Sequence, residues 1–243
     1  MNINISSTPA ELGKKAASLV VSKLKEAIQQ NGEARLLVST GSSQFDTLKT
    51  LVESDVDWSK VEVFHLDEYI GLDESHPASF RKYLYERFIN QIPVKKFYPV
   101  NGNGDVAGNI VRLSAEILEK PIDVGVIGIG ENAHIAFNDP PADFETTQPY
   151  LVVHLDERCR LQQVNEGWFP SLEAVPPTAI SMSVHRIMQC RIIISSVPHL
   201  VKAAAVASTL MNELTNIVPA TMLKQHPDWN LFLDVYSASG VIR

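Results

Sequence analysis

The sequence predicts an α/β fold, a Rossmann-like open parallel sheet with helices on both faces and a small lid segment. Short apolar runs alternate with amphipathic helical patterns, which predicts right-handed βαβ crossovers within one parallel sheet. The run over residues 124–129 is apolar or glycine throughout and too short for a helix, as is typical of a central strand buried on both faces. Polar residues directly follow three of the runs, and such sheets bind ligands at the carboxyl ends of their strands.

Composition is that of an ordinary globular protein. The chain has 243 residues, which fits one α/β domain over residues 1–243. Hydrophobic residues make up 45% and charged residues 20%, enough for a sizeable core. The net charge of −7 argues against nucleic acid or an anionic membrane as partner, although an anionic small molecule remains compatible with it.

Targeting signals and metal motifs are not apparent in the sequence. The N-terminal stretch has no apolar core after a basic start, so no signal peptide is expected, and no run of about 18 apolar residues predicts a membrane span. Cys159 and Cys190 lack the spacing of a zinc motif or a disulfide framework, and we expect free thiols in a cytoplasmic protein. The sequence leaves open whether copies associate into a homo-oligomer.

The N-terminal part predicts a helix, a strand and a turn that could hold an anion. Thr8 caps the helix, which ends at Asn31-Gly32. A strand over residues 35–39 leads into Thr40, Gly41, Ser42 and Ser43, and a second helix follows through residue 51. Unpaired N–H groups at a helix start favour an anion. Ser and Thr also cap most helices, so the turn alone is more often a cap than a phosphate site.

Two acids follow the next predicted strand, residues 61–66. Asp67 and Glu68 come directly after it, and a helix is expected over about residues 77–90. They are either solvated loop charges or part of a site, and the parallel-sheet argument favours the site. Adjacent residues tend to point in opposite directions, so only one of the two should face a ligand, and we expect it to be Asp67.

The strand at residues 124–129 follows a predicted strand at 96–100 and a helix at 105–119. Gly128 and Gly130 at its end are expected to let the backbone turn sharply and approach a ligand. Asn132, His134 and Asp139 come immediately afterwards. The alternative is a glycine-rich turn with an ordinary surface histidine.

The second half predicts strands at residues 151–155, 191–197 and 230–235. Residues 156–177 are interpreted either as a mobile lid over the pocket or as an ordinary helical hairpin, and the sequence does not separate the two. A helix running to about residue 213 begins at Lys202, and a short helix spans residues 219–225. A lone lysine on an alanine-rich helix is usually solvated.

Four segments together resemble the glucosamine-6-phosphate deaminase family, whose fold is shared with 6-phosphogluconolactonases. They are TGSS at residues 40–43, FHLDEYIGL and HPASF within 64–80, GIGENAHIAFNDP at 128–140, and KAAAV at 202–206. The middle two resemble the deaminase branch in particular.

The resemblance implies a role for each matching residue. Asp67 corresponds to the base that moves a proton between sugar carbons, His134 to the ring-opening acid/base, and Asp139 to the carboxylate that orients it, usually Glu in the family. Residues 40–43 and Lys202 correspond to the phosphate-binding groups. Glu68 and Gly130 lie in the same motifs and are included among the expected substrate-binding residues.

Three features depart from the family pattern. Asn132 stands where the family has a catalytic aspartate, yet it can still hold an imidazole by hydrogen bonding. The family's phosphate-binding arginine in the lid is not in its usual place, and Arg160 or Arg158 is expected to substitute for it. The Ser/Arg/Lys cluster of allosteric members is absent from residues 141–150.

The resemblance implies conversion of glucosamine 6-phosphate to fructose 6-phosphate and ammonia, without metal or organic cofactor. The residues suit this chemistry, because one carboxylate can move a proton from C2 to C1 and an imidazole can serve the ring oxygen. Two alternatives stay open at this point. One is lactone hydrolysis or isomerisation of another sugar phosphate on the same scaffold, and the other is a sugar-phosphate sensor without catalysis.

Overall fold

The computed structural model describes residues 1–241, and its centre is a sheet of seven parallel strands. Their order is β1-β10-β9-β6-β2-β3-β5. Three further strands form an antiparallel sheet in the order β4-β8-β7. The strands are β1 (Asn2–Ser6), β2 (Ala34–Val38), β3 (Val61–His65), β4 (Asp67–Tyr69), β5 (Lys96–Tyr98), β6 (Val124–Val126), β7 (Tyr150–His154), β8 (Thr178–Met182), β9 (Ile192–Val197) and β10 (Trp229–Asp234).

Helices connect the strands and cover both faces of the large sheet. The α-helices are α1 (Pro9–Asn31), α2 (Phe45–Val52), α3 (Phe80–Arg87), α4 (Val106–Leu118), α5 (Glu157–Asn165), α6 (Val184–Ile187) and α7 (Ala203–Met211). Short 3-10 helices span Ser42–Gln44, Trp58–Lys60, Ile89–Gln91, Leu172–Ala174, Leu200–Lys202 and Pro219–Gln225. Within residues 1–241 no helix combines the length and the hydropathy that crossing a bilayer requires.

Two apolar cores lie on opposite faces of the large sheet, because the strands alternate their side chains between the faces. On one face, α1, α2 and α3 pack on strand residues such as Leu36 and Val63. On the other, α4, α6 and α7 pack on residues such as Leu37 and Phe64. Burial on both faces explains why the central strands β2, β6 and β9 are mostly apolar. The predicted open parallel sheet with helices on both faces is confirmed.

The first helix begins and ends as its sequence predicts. The Thr8 hydroxyl accepts a hydrogen bond from the Glu11 N–H at 3.1 Å, and Gly32 ends the helix in the left-handed region with φ 79°. Glu11 accepts from the N–H of Ser7 at 3.0 Å, one residue before the cap, so the reciprocal half of the capping box is displaced by one position.

Strand order places a crevice between β2 and β6. The chain builds the sheet outward from β2 through β3 to β5, and then returns to the other side of β2 to add β6, β9 and β10. The loops that follow β2 and β6 therefore leave the sheet in opposite directions. Open α/β sheets bind ligands where the order of strands reverses in this way.

The small antiparallel sheet differs from the sequence prediction. Residues 67–69 do not simply end β3 but form the separate strand β4, in which Asp67 lies opposite Ser181 of β8. The predicted strand near residues 151–155 exists as β7, but it pairs with β8 instead of joining the large sheet. A third apolar core packs here around Tyr69, whose ring centroid lies 5.2 Å from that of Phe137 and 5.4 Å from that of Phe169.

Candidate active site

One pocket at the carboxyl ends of β2, β3 and β6 contains most of the predicted site residues. The turn after β2, the start of β4, the loop after β6 and the residue before α7 all contribute to its wall. Of the predicted residues it is lined by Thr40, Gly41, Ser42, Ser43, Asp67, Gly130, His134 and Lys202. Residues that the sequence did not single out include Gln44, Phe80, Tyr83, Phe137, Gln162, Gln163, Glu166 and Trp168.

The turn after β2 has a conformation suited to an anion. Gly41 has φ 102°, a value that other residues rarely adopt, and its carbonyl accepts a hydrogen bond from the Tyr83 hydroxyl at 2.9 Å. The chain then enters the 3-10 turn Ser42–Gln44 and continues into α2. The N–H groups at this helix start and the hydroxyls of Ser42 and Ser43 are therefore available beside the pocket.

Lys202 reaches the same pocket from a strained turn. His199 has φ 80°, an unusual value for a residue with a side chain, and its N–H donates to Asp234 Oδ2 at 3.0 Å. This contact fixes the turn Leu200–Lys202, which presents the lysine to the pocket. Lys202 is only 5% exposed, so the sequence-based alternative of a solvated lysine is excluded. Burial lowers the pKa of its ammonium, against the opposing attraction of Glu166 and Glu131.

Asp67 and Glu68 point in opposite directions and have different surroundings. Asp67 lines the pocket and is 6% exposed. Its pKa is raised well above the ordinary value, first by burial and then by the charges of Glu68 and Asp139. No cation of residues 1–241 forms an ion pair with it, so its carboxyl has the properties of a buried base that readily keeps a proton.

Glu68 lies outside the pocket, contrary to the expectation that it contacts substrate. Its carboxylate accepts hydrogen bonds from the Ser79 hydroxyl at 2.9 Å and from Arg81 Nε at 3.2 Å. It also accepts from the backbone N–H groups of Tyr69, Phe80 and Arg81. These five donors fix the start of α3 against β4, and a carboxylate so occupied has no free position for a sugar.

His134 and Asp139 form a pair of titratable side chains in the site, in addition to Asp67. His134 Nδ1 lies 2.9 Å from Asp139 Oδ1, and the backbone N–H of Asp156 donates to Asp139 Oδ2 at 3.0 Å. Burial tends to raise the pKa of Asp139, but the contacts with His134, Asn132 and Asp156 lower it overall. Asp139 therefore stays ionised beside the imidazole, which leaves His134 Nε2 for the pocket side.

Gly130 is required here for a reason that differs from the predicted one. A Cβ at this position would lie 2.2 Å from His134 Nε2, so the imidazole packs directly on the glycine backbone. The Gly130 N–H also donates to the His134 carbonyl at 2.9 Å. Glycine thus makes room for the ring, and no positive φ is involved at Gly128 or Gly130.

Asn132 contacts the residues that hold His134 but is not itself in the pocket. Its side-chain NH2 donates to Asp139 Oδ1 at 3.1 Å and to Asp156 Oδ2 at 3.3 Å. Its carbonyl oxygen accepts from the His134 N–H at 3.1 Å. Asn132 therefore holds two carboxylates together and does not line the pocket.

We expect Asn132→Asp to lower kcat by about tenfold. The change replaces two donated hydrogen bonds by a third carboxylate facing Asp139 and Asp156, and like charges in such a place disturb the geometry of His134. Steady-state assays of Asn132→Asp beside Asn132→Ser, which removes the amide without adding charge, measure this effect. A rate above that of the wild type would show instead that the asparagine handicaps the site.

Arg160, expected to bind phosphate, is directed elsewhere. Its Nη2 donates to the Leu172 carbonyl at 2.7 Å, within the segment of residues 156–177, and Arg160 does not line the pocket. Arg158 is exposed on α5. The pocket face of this segment carries Gln162, Gln163 and Glu166 instead.

One group of side chains has the composition of a metal site. Donor atoms of His134, Asp139 and Cys159 lie within 4.8 Å of one another. Burial, together with Asp139 and Asp156, holds the pKa of the Cys159 thiol well above its ordinary value, which disfavours the thiolate that a metal binds. The contact between His134 and Asp139 is that of an oriented imidazole, so the donor set fits a metal poorly.

Comparison with known proteins identifies the family. A family model described as glucosamine-6-phosphate isomerases/6-phosphogluconolactonase matches residues 7–231. The chain belongs to this family. It is 36% identical over 217 residues to a glucosamine-6-phosphate deaminase of Streptococcus pneumoniae, covering 89% of this chain and 91% of the relative. It is 37% identical over 225 residues to the glucosamine-6-phosphate deaminase of Streptococcus sanguinis, covering 92% of each.

Solved structures of the family share the fold. A monomeric glucosamine-6-phosphate deaminase of the NagB superfamily superposes with a TM-score of 0.90 at 29% identity, covering 99% of this chain and 100% of the other. A 6-phosphogluconolactonase from Shewanella baltica reaches a TM-score of 0.78 at 20% identity, covering 96% and 97%. The lactonase likeness concerns the fold alone.

Proposed function

We propose that the protein is an enzyme that converts glucosamine 6-phosphate to fructose 6-phosphate and ammonia. The observation that carries the proposal is the pairing of two unlike groups in one pocket. Asp67 is a buried carboxyl and Lys202 a buried ammonium, and within residues 1–241 neither forms an ion pair by direct contact. The deaminases named among the relatives of this family support the choice of substrate.

The proposed reaction begins with ring opening. The C1–O5 bond breaks as His134 Nε2 gives a proton to the ring oxygen and a water molecule takes the proton of the C1 hydroxyl, which yields the open-chain aldehyde. Asp139 holds the imidazole through Nδ1 and stabilises its protonated form, as the 2.9 Å contact allows. Asn132 supports this arrangement from behind by binding Asp139.

Proton transfer between carbons follows. Asp67 removes the C2 proton of the open-chain form to give an enol-type intermediate, and returns a proton to C1. The C2 imine that results adds water to form a carbinolamine, from which ammonia leaves and fructose 6-phosphate remains. Lys202, the turn of residues 40–43 and the adjoining helix start are proposed to bind the phosphate and so place C1 and C2 near Asp67.

A panel of sugar phosphates tests the proposal. Glucosamine 6-phosphate, glucose 6-phosphate and 6-phosphogluconolactone are incubated with the protein, and ammonia, ketose and acid are measured. We expect ammonia and fructose 6-phosphate from the first compound only. Acid from the lactone without ammonia would assign the chain to lactone hydrolysis, and binding without any product would identify a sensor.

Lys202→Ala is expected to raise the KM for glucosamine 6-phosphate by about 10- to 100-fold, the usual worth of a charge-assisted contact. Binding of unphosphorylated glucosamine should change little. Calorimetric titration with both sugars measures the difference, and Lys14→Ala, which alters an exposed lysine outside the pocket, serves as control. Equal loss for the two sugars would mean that Lys202 supports the fold and not the phosphate.

A further inference from the structure

The segment of residues 156–177 places a carboxylate in the pocket, where the family was expected to have an arginine. Glu166 follows the last residue of α5 and lines the pocket together with Lys202. Within residues 1–241, Lys202 is the only Lys or Arg that lines this pocket. A phosphate bound at Lys202 would therefore meet this lysine and the nearby carboxylate of Glu166, and not the lysine and the lid arginine that the resemblance implies.

Glu166 is held in position by neutral donors. Gln162 Nε2 donates to Glu166 Oε1 at 2.7 Å, and Trp168 Nε1 donates to Glu166 Oε2 at 3.1 Å. Neither donor cancels the negative charge. Gln162 Oε1 in turn accepts from the Glu131 N–H at 3.1 Å, which links this carboxylate to the loop that carries Gly130 and His134.

The two charges act on each other within the pocket. Burial lowers the pKa of Lys202, and among the groups that oppose this effect Glu166 is the strongest, ahead of Glu131 and Cys159. The lysine makes no hydrogen bond that would offset its burial within residues 1–241. A buried ammonium needs a partner charge, and Glu166 is the pocket carboxylate whose field supplies it.

We propose that Glu166 is the resident counter-ion of Lys202, with which an incoming phosphate competes for the lysine. The inference rests on the proposed role of Lys202 in binding phosphate. A dianion drawn to Lys202 enters the field of Glu166, and like charges repel strongly where the surroundings are partly buried. Glu166 therefore keeps the lysine compensated in the free protein and lowers the affinity of the pocket for phosphate.

This arrangement affects binding more than chemistry. Phosphate is present in both substrate and product and does not react, so a weaker contact with it raises KM and speeds release of fructose 6-phosphate. Glu166 thus limits how tightly any phosphorylated ligand is retained.

Inorganic phosphate is the direct probe. Isothermal titration at pH 7 and fixed ionic strength gives its Kd for the wild type, Glu166→Gln and Glu166→Ala. We expect the Kd to fall by about tenfold in both variants, because both remove the opposing charge. Glu173→Gln, an exposed acid of the same segment outside the pocket, should leave the Kd unchanged.

Two results would overturn the inference. An unchanged or higher Kd for phosphate in both Glu166 variants, with folding verified by circular dichroism, would make Glu166 merely a structural acceptor for Gln162 and Trp168. If the Glu166 variants lose affinity for glucosamine 6-phosphate but not for fructose 6-phosphate or inorganic phosphate, Glu166 contacts the amino group of the substrate instead. Phosphate binding needs no turnover, so these outcomes are independent of whether ammonia is produced.

Discussion

Asp67→Asn is expected to reduce kcat for ammonia release by about two to four orders of magnitude, the usual contribution of a positioned base. The amide keeps the shape of the carboxyl and removes its basicity. Because the residues proposed to bind phosphate lie elsewhere in the pocket, the affinity for fructose 6-phosphate should stay within a few-fold of the wild type. Exchange of the C2 proton with deuterated solvent should fall in parallel with kcat, which NMR measures directly.

The pH profile provides a second readout of the same residue. The pKa of Asp67 is raised in the free protein, so its carboxyl must lose a proton before it can act. We therefore expect kcat/KM of the wild type to rise with pH through this raised pKa, and the rise to vanish in Asp67→Asn. Asp73→Asn, an exposed acid in the following loop, is the matched control. Wild-type exchange of the C2 proton in Asp67→Asn would disprove the proposed mechanism.

His134→Gln is expected to lower kcat for the closed-ring substrate by about two to three orders of magnitude, within the range of a lost acid/base group. An analogue that cannot close its ring bypasses the step that His134 serves. Its C2 proton exchange should therefore fall much less. Stopped assays of wild type and variant with both compounds measure how much more activity is lost on the closed-ring substrate than on the analogue.

The control for this variant is His154→Gln, which alters an exposed histidine at the end of β7. It should change neither reaction. An equal loss of activity on the ring form and on the open-chain analogue would assign His134 to proton transfer at carbon, or to holding the loop through its 2.9 Å contact with Asp139.

The large sheet was predictable because its strands are buried on both faces. Such strands read as continuous apolar runs, and six of the seven predicted runs correspond to strands of the large sheet, while the seventh is β7 of the antiparallel sheet. β1 was missed because residues 2–5 are exposed at the sheet edge, where backbone pairing with β10 is the main support. β4 and β8 were missed as well, since β4 has three residues and its partner lies more than 100 residues away.

The pocket was predictable where a site residue follows a strand. Asp67, His134 and the turn of residues 40–43 all follow this rule. Gln162 and Glu166 do not, because Gln162 lies on α5 and Glu166 directly follows it, and this helix reaches the pocket only through tertiary packing. Their spacing of four residues on one helix face was the available signal, but it also describes an ordinary solvated pair. The outward direction of Glu68 followed from strand geometry, whereas its five hydrogen bonds could come only from the structure.

Burial of the Asp67 carboxyl, which no cation of the described chain contacts, has a cost for the folded protein. Its pKa is raised in the fold, so between the ordinary value of 3.8 and the raised value the unfolded chain releases the proton while the native state retains it. The native state then binds more protons than the unfolded state, and the free energy of unfolding decreases as pH rises through this window. Above this window the ionised carboxyl therefore weakens the fold, and an asparagine there would strengthen it. Selection for thermal stability alone would replace the residue on which the proposed chemistry depends.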